Sequence, residues 1–128
     1  MKKLWYTKQV DYSFLEAIDN IDFALKMEWF GILMKIDMQE KLKTKLNKDI
    51  DEYMILGACN PALAAQALDA EQEIGLLLPC NIIVYSKDNE VFVSTILPSV
   101  AMNMIYNNDV KKIAEKAEKL LKKSIDSL

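Results

Sequence analysis

Apolar residues recur at helical spacing near both ends of the chain. Ser13 and Glu16 have the S-x-x-E spacing of a capping box, and an apolar stripe follows them. That stripe consists of Phe14, Ile18, Ile21 and Leu25, widened by Leu15 and Ala24. A second stripe, with lysines on the opposite side, runs from Val110 to Ile125. The pattern therefore predicts one long amphipathic helix near the start of the chain and another at its end.

Between these helices the apolar residues alternate with a period of two, which is typical of strands. The clearest run places Phe30, Ile32, Met34, Ile36 and Met38 on one face of a strand that ends at Asp37. A short first strand is expected around Trp5 to Val10. Further strands are predicted at Tyr53 to Cys59, Cys80 to Ser86 and Val91 to Leu97. The turn at residues 87–90 would join the last two strands into a hairpin.

Two polar residues are predicted to start helices directly after strands. Asp37, paired with Glu40, would cap a short lysine-rich helix. Asn60 is a favoured N-cap residue, and Pro61 suits the first helical position because its missing N–H group has no partner there anyway. Each cap places a strand end beside a helix start.

The order of elements is thus β-α-β, a short helix, β, a helix, β-β and a closing helix. A hairpin near the end and long helices at the first and last positions favour an α+β fold, in which helices pack on one face of an antiparallel sheet. A parallel β-α-β pair at the N-terminus is the alternative. No linker or repeat divides the chain, so residues 1–128 are expected to form a single domain.

Composition excludes several kinds of chemistry. The chain contains no His, and its 16 Lys+Arg residues are all lysines. Triads that need His, HExxH metal sites and guanidinium contacts to phosphate are therefore absent from the sequence. No catalytic constellation is recognisable, and whether the chain is an enzyme stays open. Residues 49–90 hold one lysine against eight acidic residues, which argues against nucleic acid as a partner.

The location of the protein follows from what its sequence lacks. Two cysteines in 128 residues fit a reducing compartment better than a disulfide framework. Residues 1–8 carry lysines before any apolar run could form, so no signal peptide is predicted. No run reaches the roughly 20 apolar residues of a membrane-spanning helix. We expect a cytoplasmic protein that does not bind membranes.

Two segments stand out because each joins a Cys-Asn pair to a proline: residues 56–61 (LGACNP) and 77–81 (LLPCN). If their strands are neighbours, Cys59-Asn60 and Cys80-Asn81 meet at one end of the sheet and form a polar notch. Cys59 precedes a helix, whose dipole would favour a thiolate. The alternative is that both cysteines are small buried apolar residues. Two thiols without imidazole cannot complete a four-ligand zinc site, so no metal is predicted; a metal would need carboxylates such as Asp37 or a second copy of the chain.

The chain resembles the DUF302 family, a bacterial and archaeal domain of unknown function. The resemblance rests on Phe30-Gly31-Ile32-Leu33, on residues 56–61 and on Gly75-Leu76-Leu77-Leu78-Pro79-Cys80-Asn81, and it covers nearly the whole chain. It implies a TBP-like β-α-β(4)-α fold, in which a curved antiparallel sheet packs against a long C-terminal helix, with short extra helices. It does not imply DNA binding, because function belongs to sites and not to folds.

Three functional hypotheses follow. The first is a small ligand bound in the notch of Cys59, Asn60, Cys80 and Asn81, without a cofactor; Asp37 is a further candidate contact, although an N-cap role is preferred for it. The second is a thiol-dependent redox protein or enzyme that uses Cys59 with Cys80. The third is a non-enzymatic module that self-associates, for which a homodimer is the simplest form.

Overall fold

The computed structural model describes residues 3–128, so Met1 and Lys2 of the charged N-terminal stretch lie outside the described residues. Its elements follow the predicted order, with a 3₁₀ helix and a one-turn helix added before β4 and after β5. In chain order they are β1 (Trp5–Val10), α1 (Phe14–Met27), β2 (Gly31–Asp37), α2 (Met38–Leu46), β3 (Tyr53–Cys59), α3 (Pro61–Ala70), the 3₁₀ helix (Gln72–Leu77), β4 (Cys80–Lys87), β5 (Glu90–Ile96), α4 (Pro98–Ala101) and α5 (Asn108–Asp126).

The strands form one sheet in the order β1-β5-β4-β3-β2, and every neighbouring pair is antiparallel. The predicted α+β fold with an antiparallel sheet is confirmed. Because β1 and β2 lie at opposite edges, the chain crosses the whole sheet through α1. The alternative of a parallel β1-β2 pair is therefore wrong.

Helices α1 and α5 pack side by side on one face of this sheet. Four of their residues, Ile21, Leu25, Leu121 and Ile125, are fully buried there. They pack in one core cluster with fully buried strand residues that include Leu56, Ile82, Val84 and Val93. Burying each large aliphatic side chain contributes about 1.5–3 kcal/mol. The two amphipathic stripes seen in the sequence thus supply the helical side of the core.

The predicted caps form at all three helix starts. The Ser13 hydroxyl accepts a hydrogen bond from the Glu16 N–H, and the Glu16 carboxylate accepts one from the Ser13 N–H. The Asp37 carboxylate accepts from the Glu40 N–H at 3.0 Å. These side chains satisfy N–H groups that a helix start otherwise leaves unpaired.

Strand β2 departs from the predicted alternation. Ile32 pairs with Ala58, but Met34 pairs with Gly57, so the register shifts at Leu33 in a β-bulge. An extra residue in a strand moves the following side chains to the opposite face. The prediction that Ile32 and Met34 share a face is therefore wrong: Ile32 packs against the core, whereas Met34 is 45% exposed.

The β4-β5 hairpin closes through a two-residue loop. Lys87 pairs with Glu90, and the residues between them, Asp88 and Asn89, both have positive φ. Two left-handed residues give the twist that matches antiparallel strands, and Asp and Asn tolerate this conformation well. Within residues 3–128, no helix is long and apolar enough to cross a membrane.

Candidate functional site

Both cysteines lie at one end of the sheet, as predicted. In the β3-β4 ladder Ala58 pairs with Cys80, and Gly57 pairs with Asn81. Cys59 is the last residue of β3, while Cys80 is the first residue of β4. Because neighbouring antiparallel strands place the end of one beside the start of the next, Cys59 lies near Cys80, next to the direct partner of Cys80, Ala58. Neither forms a disulfide.

The two cysteines line a small cavity, which we call the thiol cavity. Its volume is about 30 Å³. The walls come from the sheet end and from α3, α4 and α5, and consist of Phe30, Ala58, Cys59, Asn60, Leu63, Ala64, Ala67, Leu78, Cys80, Pro98, Met102, Val110, Ile113, Ala114 and Ala117. Since about 10–15 Å³ accommodates one water, the cavity has room for a few atoms only.

Asn60 uses its side chain to hold the cavity wall together. Its Oδ1 accepts a hydrogen bond from the Leu63 N–H at 3.2 Å, which caps α3. Its Nδ2 donates to the Glu28 carbonyl oxygen at 3.3 Å, at the end of α1. The residue is 9% exposed. Both ends of the amide are therefore engaged within the protein, as the N-cap interpretation predicts for Oδ1.

Replacing Asn60 with Ala is expected to lower the free energy of unfolding by about 1–2 kcal/mol, because the cap is lost and a buried N–H group loses its partner. The matched control is Asn60→Asp, which keeps an oxygen for the Leu63 N–H but loses the donor to Glu28. We expect the Asp variant to lie between the wild type and the Ala variant in urea unfolding. An Ala variant as stable as the wild type would contradict this role.

Asn81 and Asp37 are not brought to the cavity. Asn81 directly follows Cys80 in β4, so it points to the opposite face of the sheet, where it is exposed. Asp37 pairs with Met54, near the opposite end of β3, and its carboxylate caps α2. The structure thus unites Cys59, Asn60 and Cys80 but separates the other two predicted residues from them. An almost wholly apolar cavity stands where a polar notch was predicted.

Burial keeps both thiols neutral at physiological pH. Desolvation raises the pKa of Cys59 above its ordinary value of 9.0. The pKa of Cys80 is raised to about 11, first by burial and then by the charge of Cys59. Desolvation thus opposes the predicted effect of the α3 dipole. Pro61 at the first helical position lacks an N–H group that could favour a thiolate.

Met102 is the site residue that sequence analysis missed. It follows α4, is 8% exposed, and adds a third sulfur-bearing side chain to the cavity wall. Small residues on facing helices, Ala64 and Ala67 in α3 with Ala114 and Ala117 in α5, also line the cavity. Alanines spaced by three on the apolar stripe of α5 are the signal that could have pointed to this close approach. Among the described side chains, no three or more His, Cys, Asp or Glu residues are grouped to hold a metal ion.

Comparisons with known proteins agree with this fold. The family model described as "Domain of unknown function DUF302" matches residues 6–128. Among solved structures, the chain is similar to the crystal structure of uncharacterized conserved protein DUF302 from Bacillus stearothermophilus. The TM-score is 0.93 with 30% sequence identity, and the match covers 98% of each chain. A search of curated proteins found no match. The matched range includes every residue of the thiol cavity.

Proposed function

Because the chain belongs to the DUF302 family, a domain of unknown function, we propose its function from its own geometry: it binds a ligand of a few atoms in the thiol cavity, through the sulfur atoms of Cys59 and Cys80. The observation that carries this proposal is that both free cysteines line one small apolar cavity. Ligand sites are typically concave and mostly apolar, with a few polar groups that fix the ligand, and the small volume here restricts the ligand to a few atoms.

Apart from the two thiols, the cavity offers few groups to which a ligand could bind. The polar atoms of the Asn60 side chain are engaged with Leu63 and Glu28, and the remaining lining residues of the described cavity are apolar. Two thiols are therefore the groups that can distinguish one small ligand from another. Sulfur is soft and polarisable, so it favours soft ligands over strongly hydrated ones.

The raised pKa values favour binding over nucleophilic catalysis. The thiolate, and not the thiol, attacks substrates and disulfides. A cysteine whose pKa lies above 9 is ionised to the thiolate only to a very small fraction at pH 7, and this fraction is smaller for Cys80 than for Cys59. A redox or enzymatic role would need a neighbouring group that lowers the pKa values of these cysteines. No lysine lines the described cavity to do so.

The proposal predicts that a small neutral thiol reagent enters the folded protein. Methyl methanethiosulfonate should label the half-buried Cys59 well before the buried Cys80. The labelling rate should rise about tenfold per pH unit up to pH 9, without a plateau, because the thiolate fraction rises in this way below a raised pKa. Mass spectrometry of samples quenched over time measures both rates.

Single-cysteine variants provide the controls for this experiment. Cys80→Ser leaves only Cys59, and Cys59→Ser leaves only Cys80, so each rate can be assigned to one thiol. Labelling of both thiols solely at the rate of global unfolding, determined separately in denaturant, would overturn the proposal, because a ligand could then not reach the cavity in the folded protein. Homodimer formation and a cytoplasmic location stay predictions.

A further inference from the structure

Three sulfur-bearing residues from separate parts of the chain line the thiol cavity. Cys59 ends β3, Cys80 begins β4, and Met102 follows α4. Cys80 and Met102 are each 8% exposed, and Cys59 is half-buried. Such a set of two thiols and one thioether is soft, and it lies in a space that fits a single ion better than an organic molecule.

We propose that the thiol cavity is a binding site for Cu(I), with Cys59 and Cys80 as thiolate ligands and Met102 as a third, thioether ligand. This inference rests on the proposed function and names the class of its ligand. Soft thiolate and thioether donors select Cu(I), which is satisfied by two or three sulfur ligands. The small volume and the apolar walls fit an ion that binds without a water shell.

The same donor set is poor for other common metal ions. Structural zinc takes four N, S or O ligands in a tetrahedron, and the wall provides two thiols without imidazole or carboxylate. Calcium and magnesium require six or more oxygen ligands or several bound waters, for which the cavity has neither donors nor space. Cu(I) is therefore the biological ion that these three residues fit.

The charge of the complex can be accounted for in full. Two thiols and the Met102 thioether bind one Cu(I), three Cu–S bonds form, and the two thiols release two protons to solvent; the copper remains Cu(I), so no electron is transferred. The bis-thiolate complex carries one net negative charge.

The experiment is an anaerobic competition between the protein and the chromophoric Cu(I) chelator bicinchoninate. The wild type should take up one Cu(I) per chain. Cys59→Ser and Cys80→Ala should each lower the affinity at least about 100-fold, since losing a group that only orients a metal ligand already costs about 10–100-fold. Met102→Leu, which keeps the volume but removes the sulfur, should lower it about tenfold. The control Met104→Leu changes an 86% exposed methionine and should have no effect.

Each result supports or overturns the assignment. Cu(I) should also raise the Tm of the wild type but not of the cysteine variants, which shows binding to the folded chain even if one variant is less stable. A wild type that cannot compete with bicinchoninate, or cysteine variants that bind as tightly as the wild type, would overturn the copper site. If Cys59 is nevertheless labelled in the folded protein, the thiol cavity remains a site for a different small ligand. If both experiments fail, the proposed function fails too.

Discussion

Replacing Gly57 with Ala is expected to lower the free energy of unfolding by about 1–3 kcal/mol, and replacing it with Val by more, because either side chain overpacks a filled space. A Cβ at this position would lie 2.8 Å from Cγ of Pro79 and 3.1 Å from Cε of Met34. The Met34 methyl group can rotate away. The Pro79 ring is closed onto its own backbone, so relief requires the backbone to move.

Two other glycines are matched controls in urea unfolding. A Cβ at Gly31 or at Gly75 would meet no atom within 4 Å, and neither residue has a positive φ. Ala at such a site reduces the entropy of the unfolded chain and is expected to leave stability unchanged or raise it by up to about 1 kcal/mol. If Gly57→Ala were as stable as Gly31→Ala, the close approach of Pro79 would have no effect on the free energy of unfolding.

The close packing at Gly57 also concerns the site. Pro79 directly precedes Cys80, and Gly57 lies two residues before Cys59. Contact between Pro79 and Gly57 therefore sets how near the start of β4 can come to the end of β3. A glycine in a central strand usually weakens it, since it adds backbone entropy and no packing. Here the missing side chain leaves room for the ring of Pro79, which directly precedes Cys80.

Local chemistry explains which parts of the fold were predictable. Ser13, Asp37 and Asn60 act on N–H groups within three residues, so their caps can be read from short segments. The bulge at Leu33 could not be read in this way. A run of apolar residues with period two looks the same whether or not one residue is skipped, and the partner strand decides the register.

The site likewise combines features that neighbouring residues determine with features that depend on distant parts of the chain. Cys59 and Cys80 could be placed together once their strands were assumed to be neighbours. Alternation along β4 could have excluded Asn81, because successive strand residues face opposite sides of a sheet. The same rule does not predict that Cys59 lines the cavity, because Cys59 follows Ala58, the partner of Cys80, and is the last residue of β3. Met102 could not be placed, since its approach to the cavity depends on how α4 packs against α5. The donor set of the proposed copper site therefore required the three-dimensional structure.

High pH should destabilise the wild type more than a Cys80→Val variant, by about 2–3 kcal/mol once pH has passed 11. Val is apolar and similar in size to Cys, but it does not titrate. The Cys80 thiol has a pKa of about 11 in the folded protein, against an ordinary value of 9.0 that applies to the unfolded chain. Its contribution to stability is fully present below pH 9 and is lost as pH rises through 11, because the unfolded chain then releases the proton first.

Urea unfolding of both proteins under reducing conditions, at intervals from pH 8 to pH 11.5, measures this difference. Lysines and tyrosines titrate in the same range, but they are common to both proteins, so subtracting one profile from the other removes their effect. Parallel profiles would show that Cys80 is not held neutral by burial. A widening gap above pH 9 would show that a ligand bound to the Cys80 thiolate at neutral pH must displace the thiol proton. Of the soft ligands available to a cell, a metal ion such as Cu(I) can do this, because each metal–thiolate bond compensates for the proton that it releases.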